Sequence, residues 1–110
     1  MIKVIALIKR KPGLSREEFS KHYEEVHAPL ALKHLTTIKR YVRNYIVALP
    51  GVDEPDFDCI TEFWYDDMEG VQATLDFLNS EAGQVIHDDE ETFQDRGKTV
   101  ALLVDEREFK

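Results

Sequence analysis

Two stretches of this chain are built to be covered on both sides. Residues 2–9 (IKVIALIK) and residues 98–106 (KTVALLVDE) read as strands, and neither has a polar face in its middle. In the first, Ile2, Val4, Ala6 and Ile8 point one way while Ile5 and Leu7 point the other. The chain between them reads as helix, strand, strand, helix, so the whole order is β-α-β-β-α-β over a single domain, residues 1–110. That order implies an α+β, ferredoxin-like fold, a four-stranded antiparallel sheet with its helices on one face. Ile5, Leu7, Val100, Leu102 and Val104 cannot all lie against those helices. Joining the bare faces of two copies covers them with one isologous contact, so a homodimer in the form of a dimeric α/β barrel follows from the patterning.

The richest chemistry lies early. Lys11, Pro12 and Gly13 make a turn, and Ser15 with Glu18 has the spacing of a capping box that starts a helix. Phe19, His22, Tyr23, Val26 and Leu30 then lay down one stripe, with Glu17, Lys21, Glu24 and Glu25 on the wet side. A histidine in such a stripe points at the core or at a cavity beside it. Pro29 lacks a backbone donor and restricts Ala28, so the helix must kink or restart near His27. His22 and His27 stand five positions apart, roughly 140° around an α-helix, and are not expected to share a face. A short helical piece, residues 30–35, follows and leaves His34 on its polar side.

Residues 38–49 read as a long strand, with Tyr41, Arg43 and Tyr45 on one face and Arg40, Val42 and Asn44 on the other. Tyr41 and Tyr45 suit a lining for an oxygenated ligand, or cross-strand packing. After a Pro/Gly/Asp loop, residues 59–67 form the third strand. Cys59, Thr61, Phe63 and Tyr65 share one of its faces; Ile60, Glu62 and Trp64 share the other. Glu62 between two apolar neighbours is paired (Arg40 and Arg43 are candidates), protonated by burial, or lining a wet cavity. Residues 67–78 return to helical spacing, and a shorter helix carries His87, Asp88, Asp89, Glu90 and Glu91 as a solvated acidic face with Phe93 tucked inward.

The run Phe19, His22, Tyr23, His27, Ala28, Pro29, Leu30, in the form F-x-x-H-[aromatic]-x-x-x-H-A-P-L, resembles the signature of the EthD family. Arg40, Tyr41 and Asn44, then Asp58, Glu62, Trp64 and Tyr65, then Asp89, Glu90 and Phe93 extend the likeness over most of the chain. Tyr23 stands where the family more often has tryptophan. The resemblance implies a ferredoxin-like protein that pairs into a dimeric barrel. It also implies one of several chemistries: an accessory to an oxygenase in ether degradation, a cofactor-free isomerase, a decarboxylase or dehydratase of aromatic compounds, or a cofactor-independent monooxygenase. Fold alone does not choose among these.

A net charge of −8 opposes binding to nucleic acid or to anionic membranes. The lone Cys59 permits no internal disulfide and suits the cytoplasm, and the leading segment is too short for a secretory signal. The glycines never cluster into a phosphate cradle, no nucleophile elbow is present, and no metal-ligand spacing is recognised, so the chain is expected to use no metal and no cofactor. General acid–base chemistry remains. His22, His27, Tyr41 and Glu62 are the candidate catalytic groups, and Tyr23, Asn44, Tyr45 and Trp64 are the candidate substrate contacts. The expected substrate is a small oxygenated cyclic or aromatic metabolite. The alternatives are a non-catalytic ligand carrier serving a partner oxygenase and a cofactor-independent monooxygenase.

Overall fold

Strands Ile2–Ile8 (β1), Arg40–Tyr45 (β2), Cys59–Tyr65 (β3) and Val100–Val104 (β4) form one antiparallel sheet in the order β2-β3-β1-β4. The computed structural model describes residues 1–110. The helices are Arg16–His22 (α1), Ala28–His34 (α2), Met68–Leu78 (α3) and Gln84–Phe93 (α4). This is the α+β, ferredoxin-like arrangement, with the two outer strands reached by crossovers.

The register assigns the faces. Val4 pairs with Phe63, which also pairs with Tyr41, and Ile8 pairs with Cys59, which also pairs with Tyr45. These residues face the helices, and Ala6, Ile8 and Cys59 pack with Phe19, Tyr23, Ala28 and Phe93 into the core. The opposite face carries Ile5, Leu7, Ile60 and Leu102 together with Lys3, Glu62, Trp64, Val42 and Asn44. It has no helix over it, and Leu102 is 48% exposed. No helix is long and apolar enough to cross a membrane.

The second strand is shorter than the sequence suggests. Ladder pairing ends where Tyr45 meets Cys59, and only Ile46 N–H continues it, donating to Asp58 O at 3.0 Å. Residues 46–49 have strand-forming side chains but no strand beside them, so Val47 and Leu49 lie exposed. Propensity does not make a strand without a partner. Gly51, at φ +78°, turns the chain back toward β3.

The capping box is present at the start of α1. Ser15 Oγ accepts from Glu18 N–H at 3.0 Å, and Glu18 Oε1 accepts from Ser15 N–H at 3.0 Å. Ser15→Ala removes one half of this exchange and should cost about 1 kcal/mol, read as a lower midpoint in urea unfolding with an unchanged slope.

Candidate functional site

Between α1 and α2 the chain makes a π-helical segment, Tyr23–His27. Ala28 N–H donates to Tyr23 O, five residues back. The cause lies one residue on: Pro29 brings no N–H, and its ring crowds the carbonyl of the preceding turn unless that turn widens. Widening the turn puts residues five apart on the same side. His22 and His27 therefore do share a face, against the α-helical expectation, and both reach one carboxylate. Asp89 of α4 stands 2.9 Å (Oδ1) and 3.1 Å (Oδ2) from His22 Nε2, and its Oδ2 stands 2.8 Å from His27 Nδ1.

His27 is the more enclosed of the two rings, 6% exposed against 27% for His22. Phe93 packs against both, with ring centroids 4.8 Å from His27 and 4.9 Å from His22. A carboxylate can only accept, so Nδ1 of His27 carries the proton and Nε2 keeps its lone pair. Burial pulls the His27 pKa down, and the hydrogen bond to Asp89 with the charges of Glu90 and Asp89 opposes it without overcoming it. The imidazole is therefore neutral at pH 7 and held in one tautomer, the form a general base requires.

A cavity of about 190 Å³ lies against this ring, between the sheet and the helices. Val4, Phe63, Val71 and Ile86 supply apolar wall; His27, Tyr41, Glu90 and Gln94 supply polar groups. Leu75, also on its lining, is 47% exposed and marks the mouth. Tyr41 stacks on Phe63 at 4.8 Å and donates its hydroxyl to Tyr23 Oη at 2.8 Å; Tyr23 Oη in turn lies 2.9 Å from Thr61 Oγ1. Burial raises the pKa of both tyrosines, so both remain neutral hydroxyls.

The remaining sequence candidates lie elsewhere. Tyr45 faces the helices but donates to Glu24 Oε2 at 2.6 Å, and Arg43 forks onto the same carboxylate at 2.7 and 2.8 Å. Glu62, Asn44 and Trp64 lie on the opposite sheet face and do not converge with the histidines. Glu62 pairs with Lys3 at 2.8 Å rather than with an arginine, and Asn44 donates to its other oxygen at 3.0 Å. These two partners lower its pKa, so it is an ionised carboxylate, not one protonated by burial. Trp64 lies under the Lys3 ammonium, 4.5 Å from it. Cys59 is buried, which pushes its thiol up to about 11 and leaves it no nucleophile at neutral pH. No group of three or more His, Cys, Asp or Glu side chains is arranged to hold a metal ion.

Asp89, expected on a solvated acidic face, instead joins the candidate site. Its side chain is 14% exposed. The signal was its spacing: Asp89 and Glu90 follow Ile86 at i+3 and i+4 with Phe93 at i+7, so these two acidic residues of the run, unlike Asp88 and Glu91, lie along the buried stripe.

A family model, the EthD domain, matches residues 11–97. Among solved structures, the fold is similar to an ethyl tert-butyl ether d (EthD) family protein from Bacillus halodurans C-125. The two are 26% identical with a TM-score of 0.72, over 97% of this chain and 99% of that one. A dimeric ferredoxin-like protein of unknown function from Thermobifida fusca YX is 15% identical, with a TM-score of 0.57 over 94% of this chain and 88% of its own. An antibiotic biosynthesis monooxygenase is 16% identical, with a TM-score of 0.58 over 98% and 100%. The last two likenesses concern the fold alone. No curated protein matches the chain.

Proposed function

Because the chain belongs to the EthD family, we propose that it is a homodimeric, cofactor-independent acid–base enzyme acting on a small oxygenated cyclic or aromatic metabolite in the cavity beside His27. Of the chemistries that the resemblance implies, isomerisation and dehydration start from a proton abstraction of this kind, and decarboxylation differs from them in needing a carboxylate substrate. The observation that carries the reading is the His27 ring: a neutral imidazole on an apolar cavity, its far nitrogen tied to Asp89 at 2.8 Å. Nε2 takes a proton from the substrate, and Asp89 stabilises the imidazolium that forms. Tyr41 and Tyr23 shape and orient. His22 touches no substrate in this reading and acts through Asp89. Glu62, Asn44, Trp64 and Tyr45 take no part in the chemistry of this cavity. The first three belong instead to the face where a second copy would cover Ile5, Leu7 and Leu102.

Hydrogen–deuterium exchange tests the base without knowledge of the natural substrate. The purified protein is incubated in D₂O with a panel of cyclic ketones and lactones, and loss of the proton beside the carbonyl is followed by NMR. Exchange above the buffer rate is expected, and His27→Ala should lower it by about 10²–10⁴-fold with circular dichroism unchanged. Equal exchange by the variant would remove His27 from the mechanism.

The mostly apolar lining favours a second reading, a carrier that shields an apolar intermediate for a partner oxygenase. Such a protein would bind ligand and keep binding it in His27→Ala, with no exchange from either form.

A further inference from the structure

We propose that the cavity takes a neutral ligand with a single substituted ring and rejects the corresponding carboxylate; this rests on the acid–base reading of the same cavity. The first support is the charge inventory. Neither lysine nor arginine lines the cavity, and the one acidic residue on its wall is Glu90. Asp89 adds a second negative charge directly behind His27. The neighbouring cations are already engaged by carboxylates: Arg43 forks onto Glu24, and Arg96 lies 3.8 Å from the wall residue Glu90 itself and 3.5 Å from Glu91, with His87 Nδ1 3.0 Å from the same Glu90 oxygen. An anion entering here loses its water and meets carboxylates, with no positive partner to replace what it lost.

A neutral carbonyl compound meets no such penalty. When Nε2 takes the proton beside its carbonyl, the C–H pair becomes a C=C bond and the C=O pair moves to oxygen. The enolate charge thus appears together with the imidazolium that balances it. The imidazolium returns the proton at another position, so the step needs no oxidant or reductant. Enolisation, isomerisation and dehydration begin in this way. Decarboxylation does not, because its substrate must enter as a carboxylate.

Size supplies the second support. An apolar cavity of about 150 Å³ holds a benzene molecule. The 190 Å³ found here therefore encloses one ring with a small substituent, and anything larger projects past Leu75 at the mouth.

The test compares 4-ethylphenol with 4-ethylbenzoate, the same ring with hydroxyl exchanged for carboxylate. At about pH 8 the first is neutral and the second ionised. Binding is followed through the NMR signals of the His27 ring and the Val71 and Ile86 methyls. The phenol should titrate these signals, with the benzoate at least about tenfold weaker. In Glu90→Gln, which removes the wall carboxylate, the phenol-to-benzoate ratio should fall severalfold. Benzoate binding as well as phenol would overturn the charge inference and leave His27 as base untouched. If neither probe moves the cavity signals, the ring site is overturned and the acid–base reading loses its pocket as well. A wild-type preference unaltered in Glu90→Gln would overturn the assignment of that preference to the wall charge.

Discussion

Asp89→Asn lowers the base-catalysed exchange rate by about 10²–10³-fold while the protein stays folded. In the proposed mechanism the carboxylate does two things for His27. It fixes the proton on Nδ1, and it stabilises the imidazolium after proton abstraction. An asparagine fails at one or both. If its carbonyl faces His27, the tautomer survives but the charge is gone. If its amide faces His27, an N–H donates to Nδ1, the ring proton moves to Nε2, and the cavity meets a donor instead of a base. His22 competes for the same group, because its Nε2 also lies on Asp89. The pH profile separates these effects from general damage. Asp89 raises the His27 pKa against the larger lowering by burial, so its loss lets the pKa fall further. The acid limb of the exchange profile should therefore move to lower pH. Nitrogen chemical shifts of the ring report the tautomer directly. An unchanged rate, or an acid limb moving upward, would remove Asp89 from the role given to it.

The fold was legible because its determinants are local. Alternation in residues 2–9 and 98–106 set two-faced strands, Ser15 and Glu18 set a helix start, and Pro29 set a break. The site was legible only where it depended on one element. His27 and Tyr41 line the cavity, but Glu62 does not join them, because alternation relates residues within a strand and leaves open which face of that strand meets the helices. The register decides this: Tyr41 stands opposite Phe63, whereas Glu62 stands between Ile5 and Val42. The convergence of the two histidines was hidden for a different reason. An α-helical wheel places them apart, and the π turn that unites them arises from the conflict of Pro29 with the turn before it. Asp89 arrives from another helix, and its place on the stripe of Ile86 and Phe93, which Glu90 shares, marked it only as a part-buried acid.

Phe93→Ala should cost about 3–5 kcal/mol in chemical unfolding, because it removes a fully buried ring at the junction of core and site. Phe93 lies 5.6 Å from Phe19 and 5.4 Å from Tyr23, ring to ring, in addition to its contacts with both imidazoles. It also follows Asp89 by one turn of α4, so its packing holds that carboxylate in place. The functional consequence runs opposite to that of Asp89→Asn. Burial is the largest cause of the lowered His27 pKa, and a void filled by water weakens it. The acid limb of the exchange profile should move upward, toward the ordinary histidine value. The same linkage has a stability arm. In the wild type the unfolded chain takes a proton on His27 below about pH 6.5 while the folded chain does not, so folding stability is lost as pH falls from there through the folded pKa. A hydrated site narrows the gap between the two pKa values and should shrink that loss. Phe93→Leu restores most of the volume without the ring and should recover most of the stability. If it also recovers the wild-type acid limb, exclusion of water sets the basicity of His27; if the limb stays high, the aromatic face itself does.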